Sequence, residues 1–312
     1  MSKNENMKDF LVSIIVISYN SSKYILNTLE SIKEQTYRNI ELIISDDCST
    51  DNTVVVCQRF IEENQSVEFI RDAKIVSTEK NSGITPNYNN GLKHAQGKWV
   101  KYIAGDDLLT SDCIQTYVET AENSEDKLFV AGTYPFNEKE SFPARIPDTK
   151  RLNGDVLKQF RSLVKYGTFI EGPTIFVEKE MLTLLGGFSE KYPFIEDFPL
   201  FFKFILNGYR IHLIEKPLIW YREYAESVSQ SDNRFAKSLN DHYKDIIYPN
   251  LLKNKMYLFY YHTSIIFFIE KHSRDNTIWS KSFSRYLVKF ASPIAWCDFY
   301  RKKIKKQKIY RP

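Results

Sequence analysis

Cysteine is scarce in this chain, and its spacing does not suit metal binding or redox exchange. Only four cysteines occur among 312 residues, and no two of them have C-x-x-C spacing. That spacing is typical of zinc sites and of thiol–disulfide exchange, so its absence argues against both. We therefore interpret Cys48, Cys57, Cys113 and Cys297 as reduced thiols of a cytoplasmic protein.

Strong net charge and targeting segments are also lacking. The formal net charge is +4, too small for the whole molecule to bind nucleic acid electrostatically. The first residues, MSKNENMKDF, contain no basic segment followed by an apolar one, so we expect no signal peptide. The apolar stretch MYLFYYHTSIIFFI at 256–269 is shorter than the about 20 residues of a membrane-spanning helix, and we expect a buried packing helix there.

Glycine loops that bind phosphate are missing. The first predicted strand is followed by SYNSSKYI rather than by G-x-G-x-x-G, and G-x-x-x-x-G-K-[ST] does not occur. Dinucleotide-binding and P-loop enzymes hold their phosphates with these loops. Their absence argues against both classes but still allows a nucleotide bound through carboxylates and a metal ion.

What is present is an alternation of strand and helix patterns. β-branched apolar runs predict strands, and apolar residues three and four apart predict helices. Repeated strand–helix–strand order predicts an α/β fold with a mostly parallel sheet covered by helices. The predicted strands are 11–20, 40–47, 67–72, 73–80 and 98–107, and the predicted helices are 22–35, 50–64, 85–97 and 196–209.

The rest of the chain follows other patterns. Scattered prolines between 130 and 195 predict long loops around a site. Beyond 235 the sequence is rich in tyrosine, phenylalanine, isoleucine and lysine and predicts helices only. We therefore expect an α/β domain at 1–234 and a C-terminal helical region at 235–312.

Polar residues follow three of the predicted strands, at the edge where such sheets bind ligands. The clusters are Ser18-Tyr19-Asn20, Asp46-Asp47 and Asp106-Asp107. The last pair has three interpretations: a turn or helix cap, a Mg²⁺ or Mn²⁺ site completed by substrate phosphates, or a nuclease-like two-metal site. The third requires further carboxylates that the neighbouring sequence does not supply. Asp46 fits either a hydrogen bond to a ribose or base, or turn chemistry.

Three longer blocks of the sequence resemble glycosyltransferase family 2, and in particular bacterial surface-polysaccharide enzymes of the O-antigen and capsule type. The blocks are VSIIVISYNSSKYILNTLESIKEQTYRNIELIISDDCSTDNT (12–53), EKNSGITPNYNNGLKHAQGKWVKYIAGDD (79–107) and GPTIFVEKEMLTLLGGFSEKYPFIEDFPLFFKFILNGY (172–209). The resemblance is collinear over 11–230. It implies the GT-A fold, a nucleotide-diphospho-sugar donor with uridine as the expected base, a bound Mn²⁺ or Mg²⁺, and inversion at the anomeric carbon.

The resemblance also assigns roles to individual residues on the donor side. Tyr19 and Asp46 match positions that hold the nucleobase and ribose, and Ser18 and Asn20 flank Tyr19 in the same nucleotide-sugar site. Arg222, in WYREYAESVS at 220–229, matches a basic residue that approaches the diphosphate.

The resemblance assigns the metal-binding and proton-transfer roles to carboxylates. Asp107 matches the aspartate that ligates the metal, and Asp106 matches its neighbour that faces the sugar or ribose. Asp197, next to Glu196, matches the catalytic base that takes the proton of the acceptor hydroxyl. From the residues alone, a plain N-cap of the helix that follows is the favoured interpretation of Asp197.

Three positions depart from the family pattern. Ala104 stands where an earlier aspartate of the metal motif is common, Tyr88 replaces a common arginine, and Tyr224 replaces a common histidine. The metal ligand and the base are both retained. This argues against a non-catalytic nucleotide-sugar-binding or scaffold protein, which would have lost one of them. The other rival, a sugar-nucleotide nucleotidyltransferase, would carry a glycine-rich basic loop after the first strand.

The C-terminal segment FASPIAWCDFYRKKIKKQKIYRP at 290–312 places aromatic residues beside seven basic ones. This combination suits an anionic membrane surface, and it also fits a solvated disordered end or non-specific polyanion binding. With the family resemblance, we expect a saccharide acceptor carried on a lipid diphosphate. The protein would then lie peripherally at the inner face of the cell membrane.

Overall fold

The computed structural model describes residues 10–67, 72–167, 169–192, 194–224, 233–274 and 294. These residues divide into two compact units. The first contains the described residues up to 160 and from 169 to 238, and the second contains 161–167 and the described residues from 239 onward. All the strands discussed below lie in the first unit.

The described residues form one eight-stranded sheet. Its strands are β1 (Val12–Ser18), β2 (Ile40–Asp46), β3 (Lys74–Ser77), β4 (Trp99–Ala104), β5 (Leu108–Leu109), β6 (Leu128–Phe136), β7 (Phe176–Glu178) and β8 (Ile211–Arg222). The strand order is β3-β2-β1-β4-β7-β6-β8-β5. The first four strands in this order are mutually parallel, whereas β7 pairs antiparallel with both β4 and β6.

Helices connect the strands. They are α1 (Ile25–Lys33), α2 (Thr53–Glu63), α3 (Ile84–His94), α4 (Cys113–Glu122), α5 (Thr149–Leu152), α6 (Val156–Tyr166), α7 (Lys179–Leu184) and α8 (Asp197–Leu206), with a 3-10 turn at Gly172–Thr174. After these come α9 (Asn233–His242), a π-helical turn (Tyr243–Ile247), α10 (Tyr248–Lys253) and α11 (Tyr257–Arg274).

The core of the first unit explains why the parallel strands are apolar along their whole length. Side chains on alternate sides of β1 are buried, because helices cover both faces of the sheet. One face packs against α1, whose Leu29 and Ile32 are fully buried. The other face packs against α3, where Gly91 permits close approach, since an added Cβ would lie 2.4 Å from Ile15 Cγ2. This packing holds the carboxyl ends of β1, β2 and β4 at one edge.

The predicted α/β order is confirmed for the first hundred residues. The predicted edge strand 67–72 falls mainly on 68–71, outside the described residues, and Val67 and Asp72 are not in a strand. The stretch 130–195 contains the expected long segments outside the named helices and strands, at 137–148 and 185–192, and it also contains β7, most of β6 and three helices. Its strands pair antiparallel or through a register shift, and neither arrangement produces the strand–helix–strand pattern in the sequence.

The second unit shows that the apolar stretch 256–269 is not simply a buried packing helix. It forms the first part of α11, where His262 and Thr263 are buried but Tyr257, Leu258 and Tyr261 are 55%, 44% and 61% exposed. Among the helices of the described ranges, none combines the length and apolarity needed to cross a bilayer. The basic C-terminal segment lies outside the described residues, apart from Ile294.

Candidate active site

The predicted polar clusters lie together at one edge of the sheet. The register pairs Ser18 of β1 with Asp46 of β2, and Ile17 of β1 with Ala104 of β4. Three strands therefore end side by side, and the residues that follow them share one surface. The Gly105 amide donates to the Ile17 carbonyl, which keeps the turn after β4 close to β1.

The residues assigned to the nucleotide site differ in how accessible their side chains are to a ligand. Tyr19 is 47% exposed, so its ring is free to stack on a planar group. Asp46 is 1% exposed, and its oxygens accept hydrogen bonds from the Ser18 hydroxyl at 3.1 Å, the Ser49 hydroxyl at 2.5 Å and the Ser49 amide at 2.8 Å. A ribose hydroxyl would therefore have to replace or share one of these bonds. Asn20 has a left-handed backbone with φ of 49°, and its side-chain oxygen accepts from the Thr50 amide at 2.8 Å.

Asp47, although adjacent to Asp46, has a structural environment. It is 3% exposed and accepts hydrogen bonds from the amides of Ser82 and Gly83 at 2.9 and 2.7 Å, and from the hydroxyls of Thr78 and Ser82. These bonds fix the loop that leads from β3 to α3. Asp47 therefore positions α3 against the sheet, and both of its carboxylate oxygens are used in these hydrogen bonds.

Asp106 and Asp107 lie between β4 and β5, beside the end of β8. Asp107 is 2% exposed, and its Oδ1 accepts a hydrogen bond from the Arg222 backbone amide at 2.8 Å. The Asp106 Oδ2 accepts from the Tyr224 hydroxyl at 2.6 Å. Burial, together with the neighbouring charge of Asp106, raises the pKa of Asp107 well above its usual range. A cation at this place would offset that unfavourable negative charge.

The donor set here fits a hard divalent cation that also binds a ligand. Among the residues that the structure describes, no group of three or more histidines, cysteines or carboxylates is placed to hold a metal alone. Mg²⁺ and Mn²⁺ commonly take one or two carboxylates and complete their shell with phosphate oxygens and water. Asp107, with Asp106 next to it, supplies that number of carboxylates.

Arg222 is held rigidly beside this pair. Its guanidinium lies 4.2 Å from the ring centroid of Tyr24 and 4.4 Å from that of Phe136, and its Nε donates to the Asp106 carbonyl at 2.9 Å. The pairing of Leu108 with Trp220 brings β8 to this position. Stacking between two aromatic rings fixes the planar cation without neutralising it, which suits an anion-binding role.

Glu196 and Asp197 form a second carboxylate pair at the start of α8. Asp197 is the first residue of the helix rather than its cap, and its Oδ1 accepts from the Phe198 amide at 2.6 Å. Glu196 occupies the cap position without a side-chain cap bond. Burial raises the pKa of Asp197 to about 6, and burial together with the charge of Asp197 raises that of Glu196 to about 8. Near neutral pH the pair therefore holds about one proton.

Gly172 makes room for this second pair. A Cβ added at Gly172 would lie 3.1 Å from Glu196 Oε1 and 3.6 Å from Asp197 Oδ2. The adjoining Pro173 carbonyl accepts a hydrogen bond from the Nζ of Lys101, a fully buried lysine of β4. Burial lowers the pKa of Lys101 to about 8. Lys101 thus ties the turn beneath Glu196 and Asp197 to the strand that carries Asp106 and Asp107.

Two tyrosines that sequence analysis did not assign to the site lie within electrostatic reach of both carboxylate pairs. Burial and the charges of Glu196, Asp197 and Asp107 raise the pKa of Tyr88. Burial and the charges of carboxylates that include Asp107 and Glu196 raise the pKa of Tyr221. Tyr221 immediately precedes Arg222, and this adjacency to a predicted site residue was the available signal. Tyr88 was visible only as a departure from a family pattern.

Residues 13–182 match Glycosyl transferase family 2, and this stretch is more than half of the 312-residue chain. This chain belongs to glycosyl transferase family 2. The matched range includes Asp46, Asp106 and Asp107 and ends before Glu196 and Asp197. The predicted family is therefore confirmed.

Two bacterial glycosyltransferases are among the relatives of this chain. Glycosyltransferase GlyG of Streptococcus pneumoniae is 28% identical over 130 residues, which are 42% of this chain and 41% of GlyG. The chain therefore spans less than half the length of that relative. The E. coli enzyme WfgD, a UDP-Glc:alpha-D-GlcNAc-diphosphoundecaprenol beta-1,3-glucosyltransferase, is 28% identical over 273 residues, which are 86% of this chain and 98% of WfgD.

Two solved structures show the same fold at low sequence identity. S. aureus TarS in complex with UDP-GlcNAc superposes with a TM-score of 0.56 at 20% identity, covering 75% of this chain and 73% of TarS. Mannosyltransferase PcManGT from Pyrobaculum calidifontis, in complex with GDP-Man and Mn²⁺, gives a TM-score of 0.54 at 18% identity, covering 92% of this chain and 72% of PcManGT. The predicted GT-A fold is therefore confirmed.

Proposed function

We propose that this chain transfers a sugar from a UDP-sugar to a hydroxyl of a saccharide acceptor, with inversion at the anomeric carbon. Membership of family 2 supports the reaction class. WfgD is a glucosyltransferase that uses UDP-Glc and a diphosphoundecaprenol-linked sugar, which supports a UDP-sugar donor and a lipid-linked acceptor. The process served would be surface-polysaccharide synthesis, of the O-antigen or capsule kind.

One observation carries the proposal. Two carboxylate pairs with different surroundings lie within electrostatic reach of the same two tyrosines. The Asp106–Asp107 pair lies beside Arg222, and burial raises the pKa of Asp197 in the other pair to about 6. Transfer of a sugar requires a site that stabilises a leaving diphosphate and a base that accepts a proton from the acceptor. The Asp106–Asp107 pair with Arg222 has the properties of the first, and the Glu196–Asp197 pair those of the second.

The donor would be held by the residues at the ends of β1, β2 and β4. The exposed ring of Tyr19 would stack on the uracil, and Asp46 would accept from the ribose, with Ser18 and Asn20 shaping the loop between them. Asp107, fixed by the Arg222 amide, would hold Mn²⁺ or Mg²⁺. The chemistry supplied by the bound ion is Lewis-acid stabilisation of the departing diphosphate. The Mn²⁺ bound in PcManGT supports this assignment.

Asp197 would act as the base. Its raised pKa places it close to the working pH of a general base, and the helix start beside it favours the ionised form that accepts the proton. Attack from the face opposite the leaving diphosphate would invert the anomeric carbon without a covalent sugar–enzyme intermediate. Glu196 would be protonated at neutral pH and would therefore place no second negative charge beside Asp197.

The proposal is tested with a panel of nucleotide sugars and a short-chain lipid-diphosphate sugar acceptor, with the product identified by mass. We expect one UDP-sugar to give an acceptor product enlarged by one sugar residue. The anomeric configuration of the product, measured by NMR coupling constants, tests inversion. Retention of configuration, or hydrolysis without transfer to any saccharide, would contradict the proposal.

The ionisation of the second pair predicts a pH profile. We expect kcat/KM to rise with pH through an apparent pKa near 6, as Asp197 loses its proton, when the metal is kept saturating. Glu196→Gln resembles the protonated form that predominates below pH 8, so it should retain activity within about tenfold of the wild type. A flat profile between pH 5 and 7 would contradict the role of Asp197.

The basic C-terminal segment predicts membrane association at the inner face of the cell membrane. Deleting 301–312 removes seven basic residues, each worth about 1 kcal/mol near an anionic surface. We expect the truncated protein to lose co-sedimentation with phosphatidylglycerol vesicles at low salt while retaining activity on a soluble acceptor. Phosphatidylcholine vesicles provide the control. Equal binding of both proteins to anionic vesicles would show that the segment has no such role.

A further inference from the structure

Apolar side chains are concentrated on the surface of the second unit where α10 meets α11. Tyr257, Leu258 and Tyr261 are exposed at the start of α11, and Leu252, near the end of α10, is 46% exposed. No other ten-residue stretch within the described residues exposes as many large apolar side chains. Residues three and four apart share one face of a helix, so the three side chains of α11 form one surface, which we call the α11 patch. Such a concentration indicates a binding surface, whereas single exposed apolar residues are ordinary.

The corner between the two helices is well formed, and its inner side is already packed. Leu251 is fully buried and Met256 is 9% exposed, and the Met256 amide donates a hydrogen bond to the Leu251 carbonyl at 2.8 Å. Thr263 follows Met256 by about two helical turns, so it lies on the same side of α11, and it is buried as well. Between the helices, Lys255 has the left-handed backbone that often ends a helix, with φ of 57°. The α11 patch therefore lies on the outer side of an ordered corner.

The α11 patch lacks the charged residues that normally cover a helix face turned to water. No aspartate or glutamate occurs in 246–266, and the lysines of this stretch are Lys253 and Lys255, which are both exposed at the corner where the patch begins. A tyrosine ring with its hydroxyl suits the boundary between hydrocarbon and water, and a lysine stem can lie on apolar surface with its ammonium group in water. Tyrosine, leucine and lysine are thus combined as on helices that lie in a membrane interface.

Charge distinguishes among the surfaces that could cover this patch. A second copy bound about a two-fold axis would use the same surface on both subunits, so Lys253 and Lys255 would lie near lysines of like charge. The segment 301–312 is basic and carries the same sign of charge as the corner. The headgroups of an anionic bilayer instead attract the lysines, and its hydrocarbon boundary accepts the apolar side chains. A bilayer surface therefore complements both parts of the corner.

We propose that the α11 patch binds the surface of an anionic lipid bilayer, with Lys253 and Lys255 among the headgroups. This contact is separate from the basic C-terminal segment and does not depend on the chemistry of sugar transfer. Stable peripheral binding commonly combines an apolar element with a basic one, because each alone binds weakly and reversibly. The α11 patch would supply the apolar part, and segment 301–312 the electrostatic part, which salt screens. Loss of either part is therefore expected to release the protein from the membrane.

The test is partitioning of the full chain onto mixed phosphatidylglycerol–phosphatidylcholine vesicles at about 0.15 M salt. Replacing Tyr257, Leu258 and Tyr261 together by glutamine, a good helix former, should lower the partition coefficient at least about tenfold. Transfer to a soluble acceptor should not change. Leu184→Gln is the matched control, because this leucine of α7 is 74% exposed but stands outside any such cluster, and it should bind vesicles as the wild type does.

Two further variants keep the test decisive if the triple variant does not fold. Leu258→Trp should raise the partition coefficient about threefold or more, because tryptophan favours the membrane interface, and a gain of binding to anionic vesicles at unchanged melting temperature is not a sign of unfolding. Replacing Lys253 and Lys255 together by glutamine should lower partitioning onto the mixed vesicles about threefold or more and leave the weak binding to pure phosphatidylcholine vesicles unchanged.

Several results would overturn the inference. The wild type could fail to bind the mixed vesicles, the folded triple variant could bind them as well as the wild type, or Leu184→Gln could lose as much binding as the triple variant. A dimer that forms without lipid in the wild type but not in the triple variant, measured by analytical ultracentrifugation, would assign the α11 patch to a second copy instead. A wild type that binds vesicles but transfers no sugar from any nucleotide sugar would overturn the proposed function and leave this inference standing.

Discussion

Asp107→Asn should retain the fold and lose nearly all transfer activity. The amide oxygen of asparagine can still accept the 2.8 Å hydrogen bond from the Arg222 backbone, so the loop after β4 keeps its anchor. The substitution also removes a buried charge whose pKa burial raises, so the free energy of unfolding should not fall. What is lost is the anionic metal ligand. Because metal stabilisation of a leaving group contributes several kcal/mol, we expect turnover to fall by roughly 10²–10³-fold.

The measurement is turnover as a function of Mn²⁺ or Mg²⁺ concentration, with thermal stability determined on the same samples. The wild type should lose activity in excess EDTA and regain it when the ion is restored. Asp148→Asn is the matched control, because this exposed aspartate caps α5 through the Lys150 amide and asparagine caps equally well. Full activity of the wild type in EDTA, or of Asp107→Asn at low metal concentration, would remove the metal from the mechanism.

The parallel half of the sheet could be predicted because its signals are local. β1, β2 and β4 are buried on both faces and therefore read as continuous apolar runs, and α1 carries its apolar residues at helical spacing. Each run is followed by polar residues where the strand ends. A single element and its neighbours in sequence were sufficient to place these parts of the fold and the edge that they form.

The antiparallel part could not be predicted in the same way. β7 has only three residues, and β6 contains Gly132 and Pro135 and shifts its register with β8 at this glycine. β7 is too short to be distinguished from a loop, and Gly132 and Pro135 interrupt the strand pattern of β6. Both are stabilised by partners far along the chain, such as Trp99 opposite Glu178. Their existence depends on the tertiary fold rather than on local preference.

The candidate site shows a second limit to prediction from the sequence. Asp46 and Asp47 are adjacent and chemically alike, yet only the fold reveals that Asp47 is engaged by the loop 78–83. Tyr88 and Tyr221 read as ordinary aromatic residues of a core or strand. Only the fold brings them within electrostatic reach of both carboxylate pairs.

Asp197→Asn should have the largest effect on the chemical step and little effect on stability. Asparagine keeps the oxygen that accepts from the Phe198 amide at 2.6 Å, but it cannot take the proton of the acceptor hydroxyl. General-base catalysis contributes roughly 10²–10⁴-fold, and kcat should fall by that amount. UDP and metal binding should persist, because Asp107 lies between β4 and β5 rather than on α8.

The direction of the stability change separates this role from that of a helix cap. The folded-state pKa of Asp197, about 6, lies above the ordinary aspartate value of 3.8, so ionisation is disfavoured in the folded protein. The stability that the protonated group provides is present below pH 3.8 and is lost as the pH rises to 6. Asparagine carries no charge, so at pH 8 the variant should melt at the same temperature as the wild type or slightly higher. A cap-only residue would show near wild-type turnover in Asp197→Asn and a lowered melting temperature in Asp197→Ala. That combination would move the base assignment to Glu196. In that case Glu196→Gln, made in parallel, should be the variant that loses turnover.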